Sequence, residues 1–175
     1  PNALAGYGIG ARLELILTPI IFGIGAALTA SVSINFGSKQ FARARKIAFT
    51  GGIVCFLIIG FIGLFINLFP QFLYQNFSSN PDVIKYCLKY ILIVTPFYCL
   101  FGFGQAIYFS SQGTGKMIKP ILVGILRFSC VVLFGYLAVS RNLSIDYVLY
   151  SVSIGLIITG VGMFLCLLGK EWKGL

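Results

Sequence analysis

The dominant feature of this sequence is a set of five long intervals in which almost no charged residue occurs. Each is 21 to 26 residues long; they cover 15–36, 47–69, 90–115, 120–140 and 147–169, and the fourth contains one charge, Arg127. A helix needs about 20 apolar residues to cross the hydrocarbon core of a bilayer. Backbone groups must be satisfied within the lipid, and the intervals lack the alternation of barrel strands. We predict an all-α integral membrane protein with five transmembrane helices, A to E, at about 13–36, 47–69, 90–111, 120–140 and 147–169.

The composition of the 175 residues agrees with this class and excludes others. Hydrophobic side chains make up 58% and charged ones only 10%, against about 25% charged in an average soluble domain. The sequence contains no histidine, and its five cysteines form no CxxC pair. We therefore predict no catalytic residue, no metal and no enzyme activity. The lipid bilayer is the expected immediate partner.

The net charge of +9 comes mainly from Lys and Arg residues between the helices. The A–B loop, the C–D loop and the C-terminal tail hold eight of them, and the opposite side holds four. Positive residues are retained in the cytoplasm, so we predict a cell membrane (a bacterial inner membrane), with the N-terminus of this chain outside and its C-terminus inside. Without a single basic face, no nucleic-acid partner is expected. The basic cluster at 39–46 can also contact anionic lipid headgroups.

The first ten residues, PNALAGYGIG, contain three glycines and do not begin with methionine. We predict that they form a loop that arrives from a further helix upstream. No signal peptide precedes helix A. The sequence is therefore expected to be a fragment of a longer membrane protein.

Helix A carries small or polar residues at four-residue spacing: Pro19, Gly23, Ala27, Ser31 and Asn35. Residues four apart share a helix face. This face is either a packing seam, because small residues let membrane helices approach closely, or a cavity wall with a bend at Pro19. Asn35 is accordingly a candidate cavity residue.

Helix C contains Pro96, which predicts a second bend. Beyond it, Tyr98, Gln105 and Gln112 recur every seven residues and share one face, with Tyr108 on a neighbouring line. Aromatic rings and amides together suit a cavity for flat, partly cationic organic molecules. Tyr98, Gln105 and Tyr108 are therefore candidate substrate-cavity residues. The alternative is a core face whose tyrosine hydroxyls bond to neighbouring helices.

Two ionisable residues lie at or within the spans. Arg127, seven residues beyond Pro120, either extends to the membrane interface or faces the bundle interior and binds an anionic group. Glu14, at the outer edge of helix A, is either a surface charge or a carboxylate that faces a cavity and carries H⁺ or Na⁺. We name Glu14 as the ion-coupling candidate and Arg127 as a further cavity candidate.

Several motifs follow one another in register along most of the chain. They are 5–14 (AGYGIGARLE) with 23–27 (GIGAA), 35–37 (NFG) with 43–45 (RAR), 77–84 (FSSNPDVI) with Tyr90, and 112–116 (QGTGK) with Pro120. In order and spacing they resemble the second helix, the cytoplasmic loop and two later segments of a lobe in the MATE (multidrug and toxic compound extrusion) family.

The resemblance implies twelve helices in two six-helix lobes that exchange H⁺ or Na⁺ for organic, often cationic, drugs or metabolites. Helices A to E would be the eighth to the twelfth, with the N-terminal lobe of the same polypeptide as the missing partner. No cofactor is implied beyond the coupling ion, and the coupling carboxylate would be Glu14 or lie in the missing part. The alternatives are a flippase of lipid-linked saccharides from the same superfamily and a truncated, non-transporting membrane subunit.

Overall fold

The computed structural model describes residues 2–75, 77 and 80–173, and this part of the chain is helical without strands. In chain order the helices are α1 (Asn2–Gly37), α2 (Phe41–Leu68), the short α3 (Gln71–Tyr74), α4 (Pro81–Val94), α5 (Tyr98–Thr114), α6 (Ile118–Ser140) and α7 (Ile145–Leu168). A 3-10 turn at Thr95–Phe97 joins α4 to α5, and another at Lys170–Lys173 follows α7. With α4 and α5 counted as one span, five segments are long and apolar enough to cross a membrane. The predicted class is confirmed.

The N-terminal stretch differs from its prediction. Helix α1 begins at Asn2 rather than near residue 13, so the loop expected over the first ten residues is wrong for 2–10; Pro1 lies outside the described residues. The glycines here serve helix packing: a Cβ on Gly10 would overlap the ring of Tyr90, and one on Gly6 would meet Tyr86. Glycine lets α1 and α4 approach closely.

Two further helices begin earlier than predicted. Helix α2 starts at Phe41 instead of 47, and α4 starts at Pro81 instead of 90. Asn80 caps α4, its side chain accepting from the Asp82 N–H at 3.0 Å, and proline suits the first helical position. The uncharged intervals measure the hydrocarbon core, whereas the helices continue into the interface, where charges are tolerated. The other boundaries of the five spans lie within three residues of the predicted positions.

The centre of the bundle is α5, which packs against α1, α2 and α7. It approaches them through glycines: a Cβ on Gly102 would crowd Cys55 and Ile59 of α2, and one on Gly104 would crowd Thr159 of α7. Helix α4 packs on α1 and α7, while α6 packs mainly on α7. Glycines therefore let the central helix lie close to the backbones of its neighbours.

Two ends of the bundle are defined by side-chain contacts. At the predicted outer end, Asn2 donates to Asp82 at 3.3 Å, and Lys89 pairs with Asp146. At the predicted inner end, the Lys116 ammonium lies 5.9 Å from the ring centroid of Phe36. The helices therefore alternate in direction as expected, and which end faces the cytoplasm stays a prediction.

The small-residue face of α1 is not a packing seam among the described residues. Pro19, Gly23 and Ala27 are exposed, and a Cβ on Gly23 would meet nothing within 4 Å. The opposite face, with Leu13 and Leu17, enters the core. Helix α1 continues through Pro19 as one helix, so a bend there stays a prediction.

Candidate functional site

The ion-coupling candidate Glu14 lies where α1 meets α4. Its carboxylate is half-buried and accepts a hydrogen bond from the hydroxyl of Tyr90 at 3.0 Å. Tyr90 is fully buried, and the edge of the Tyr7 ring packs against it with centroids 5.5 Å apart. Glu14 is therefore held by a core residue of another helix.

The hydrogen-bond chain continues into α5. The hydroxyls of Tyr90 and Tyr98 are 3.2 Å apart. A phenol has one hydrogen to donate, and because Tyr90 donates to Glu14, Tyr98 must donate to Tyr90. The carboxylate–tyrosine chain, Glu14–Tyr90–Tyr98, thus joins α1, α4 and α5.

Tyr98 does not line a cavity in this structure. Its side chain is 0% exposed and belongs to the same core cluster as Tyr90 and Ile59. The structure therefore places Tyr98 on the core face that the sequence left as the alternative. Its hydroxyl bonds to a neighbouring helix because a buried phenol needs a partner.

Two other candidates from helix C do line a groove. Gln105 and Tyr108 lie between α5 and α1 around a space of about 280 Å³. Gln112 lies in the same groove, and its other lining residues are Thr18, Ile21, Phe22, Phe101 and Phe109. The groove presents two amides and several aromatic rings, which suits a flat organic molecule.

Arg127 points into the bundle. A Cβ on Gly155 of α7 would lie 3.4 Å from the Arg127 Cγ, so the side chain passes over this glycine. Its guanidinium carbon ends 5.3 Å from the ring centroid of Phe101, a residue of the groove. The stacking supports the interior orientation of Arg127 over extension to the interface.

Asn35 is separate from these residues. Its amide donates to the Ser31 carbonyl at 2.8 Å, one turn back on α1 at the predicted inner end. It does not line the groove beside Gln105. The structure therefore brings together Gln105 and Tyr108, and joins Glu14 to Tyr98, but leaves Asn35 apart.

The break at Pro96 is surrounded by side-chain hydrogen bonds from Asn67 of α2 and from Thr95. Asn67 of α2 donates to the Ile91 carbonyl at 3.2 Å and to the Thr95 hydroxyl at 3.3 Å. Thr95 also donates to the Ile91 carbonyl at 2.7 Å. The α-helical pattern is interrupted at the proline where a bend is predicted.

Two contacts at the outer end were not predicted from the sequence: the Lys89–Asp146 ion pair and the hydrogen bond from Tyr90 to Glu14. Lys89 donates to both carboxylate oxygens of Asp146, at 2.7 and 2.8 Å. Tyr90 had a detectable signal, because Val83, Cys87, Tyr90 and Val94 recur at helical spacing and all are buried. The pairing of Lys89 with Asp146 had none, since 57 residues separate them.

A bundle of five apolar helices, with a carboxylate–tyrosine chain at one end and a polar aromatic groove along its central helix, defines a multi-pass membrane protein. The MatE family model matches residues 1–137, and the chain belongs to that family. The family predicted from the motifs is confirmed.

The curated relatives carry transport and resistance names. A probable multidrug resistance protein NorM of Thermotoga maritima is 26% identical over 122 residues, which is 70% of this chain and 26% of the relative. A FAD transporter of Shewanella oneidensis is 29% identical over 103 residues, 58% of this chain and 22% of the relative. A probable multidrug resistance protein NorM of Oceanobacillus iheyensis is 21% identical over 127 residues, which is 73% of this chain and 28% of the relative. The chain spans about a quarter of the length of these relatives.

Proposed function

We propose that this chain is part of an ion-coupled exporter in which Glu14 binds the coupling ion, H⁺ or Na⁺. The observation that supports this role is the carboxylate–tyrosine chain, in which a half-buried carboxylate on a spanning helix accepts from the buried Tyr90 hydroxyl, which is bonded in turn to that of Tyr98. Carboxylates in such positions are typical of ion pathways. The exported compounds are organic drugs or metabolites, as the names of the relatives suggest.

Ion binding at Glu14 acts on the hydrogen bonds of the chain. An ionised carboxylate only accepts, whereas a protonated one also offers an O–H donor. A proton on Glu14 can therefore reverse the direction of the bonds through Tyr90 to Tyr98. A sodium ion would instead compete with Tyr90 for the carboxylate oxygen. Protonation thus alters contacts on both sides of the Pro96 break, whereas sodium acts on the Glu14–Tyr90 contact before it. Alternating access requires such coupling between ion and helix arrangement.

The test is transport by the full-length protein in vesicles under separately imposed H⁺ and Na⁺ gradients. Glu14→Gln is expected to remove gradient-driven efflux while leaving expression unchanged, and the gradient that drives the unmodified protein identifies the ion. Asp82→Asn is the matched control, because Asp82 is an exposed acid at the same end of the bundle. Efflux by Glu14→Gln that keeps the same gradient dependence contradicts the proposal.

Substrate contact is assigned to the groove that contains Gln105 and Tyr108. Gln105→Ala is expected to change the ratio of efflux rates for two substrates of different hydrogen-bonding capacity, because it removes one amide from the groove. Comparing two substrates in the same vesicles corrects for differences in protein amount. An equal loss for both substrates, together with poor folding, contradicts a role in selection.

A further inference from the structure

A second groove lies between α1 and α2 at the predicted inner end. It encloses about 470 Å³, and its floor is apolar, formed by Ile24 and Leu28 of α1 and by Ile47 and Val54 of α2. Leu28 packs so closely on Gly51 that a Cβ there would overlap it. The two helices therefore form a continuous apolar trough.

The mouth of this groove is basic. Arg43 and Lys46, both exposed, belong to its lining. The Arg43 guanidinium lies 3.4 Å from the Gln40 side-chain oxygen, directly before α2 begins. The N-terminus of a helix carries a partial positive charge, which adds to the attraction for an anion. A phosphate between these two cations would have favourable partners on α2.

The length of the groove corresponds to one leaflet. Arg43 and Val54 are 11 residues apart on α2, or about 16 Å at 1.5 Å per residue. The hydrocarbon core is about 30 Å thick, so one leaflet accounts for roughly half of it. An acyl chain whose headgroup lies at Arg43 would end near the bilayer midplane.

Two other apolar grooves among the described residues lack this combination. One on α2 and α5 is lined by residues such as Leu57, Phe61 and Cys99, and one near α3 by residues such as Phe65 and Phe72. Neither has a charged residue in its lining. They offer contact to any lipid chain, whereas the α1–α2 groove also distinguishes headgroups by charge.

We propose that the α1–α2 groove binds one anionic phospholipid of the adjoining leaflet. The phosphate lies between Arg43 and Lys46, and one acyl chain follows the apolar floor past Ile47 to Val54. The lipid spans both helices and stabilises their contact. This site is independent of ion coupling at Glu14, which lies towards the other end of α1.

The charge requirement is tested by native mass spectrometry of the full-length protein in mixed phosphatidylglycerol and phosphatidylcholine. The double variant Arg43→Gln/Lys46→Gln is expected to retain phosphatidylglycerol about fivefold less for each charge removed. Lys39→Gln/Arg45→Gln is the matched control, since it removes the same charge from the same segment but outside the groove. Equal losses in the two double variants overturn the proposal, because attraction would then be diffuse.

The groove itself is tested by filling it. Val54→Trp leaves both cations in place but occupies the apolar floor, and it is expected to release phosphatidylglycerol. Leu57→Trp, one turn further along α2 and outside this groove, is expected to retain it. Unchanged retention in Val54→Trp, or equal retention of the two lipids by the unmodified protein, overturns the proposal. A further segment of the full-length protein in the groove would leave retention unchanged in every variant, which also overturns it.

Discussion

Two spans of this bundle, α4–α5 and α6, contrast in composition and in burial. The first is the less apolar, with a mean hydropathy of 1.6 in its most apolar window against 2.2 for α6. Yet most of the α4–α5 segment is buried inside the protein, and almost none of α6 is. In a water-soluble fold the more apolar helix would be expected in the core.

The difference follows from the solvent. Lipid chains are as apolar as leucine, so exposing α6 to the bilayer costs little. What selects the central helix is its supply of small and polar groups, since close packing and hydrogen bonds between helices are what lipid cannot replace. Helix α5 provides Gly102 and Gly104, and the α4–α5 span provides Tyr90, Thr95 and Tyr98.

The largest expected effect comes from enlarging a glycine in each span. A Cβ on Gly102 of α5 would lie 2.8 Å from the Cys55 carbonyl oxygen, whereas one on Gly124 of α6 would meet nothing within 4 Å. Gly102→Leu is expected to lower the free energy of unfolding by about 3 kcal/mol or to prevent folding. Gly124→Leu is expected to be tolerated. Thermal unfolding of the purified full-length protein in detergent measures both, and similar stabilities would break the comparison.

An intermediate effect is expected from removing a hydroxyl. Tyr90→Phe leaves Glu14 and Tyr98 without their shared partner, which is expected to cost about 1 kcal/mol. Tyr136→Phe of α6 is the control, because Tyr136 is 69% exposed. The same unfolding measurement applies. A Tyr90→Phe protein as stable as the control would show that the carboxylate–tyrosine chain contributes nothing to packing.

A smaller effect is expected for the Lys89–Asp146 ion pair, which joins α4 to α7. Both side chains are about one-third exposed, at 34% and 30%. Partly solvated pairs contribute less than about 1 kcal/mol. A double-mutant cycle with Lys89→Gln and Asp146→Asn isolates the coupling energy. A substantially larger value would mean that the predicted outer end is more strongly held than its exposure suggests.

The smallest effect is expected on α6. Leu133 is 55% exposed, and Leu133→Ala is expected to change the free energy of unfolding by no more than about 0.5 kcal/mol. A loss as large as that of Gly102→Leu would show that this face of α6 packs against another part of the full-length protein. That result would reassign α6 from lipid contact to an internal interface.

The helix pattern was predictable to different degrees along the chain. Uncharged length predicted all five spans, and Pro96 predicted the interruption between α4 and α5. The start of α1 was missed because Gly6 and Gly10 suggested a loop, although they permit contact with α4. Local sequence does not distinguish a glycine that permits a turn from one that permits a second helix to pack closely.

The candidate site was predictable only in its parts. Glu14 was selected as the acid beside a span, and Gln105 and Tyr108 as one face of helix C. That Glu14 meets Tyr90 across 76 residues was not predictable, since it depends on how α1 and α4 pack. The orientation of Arg127 over Phe101 likewise depends on the gap left by Gly155 of α7.

The sequence by itself determined that this chain spans a membrane five times and belongs among MatE proteins, because apolar length and ordered motifs are local properties. The tertiary structure decided which helix is central and which polar groups meet. Hydrophobicity drives every span into the membrane but does not select its neighbours there. The arrangement within it is set by small residues, hydroxyls and carboxylates that must find partners on other helices.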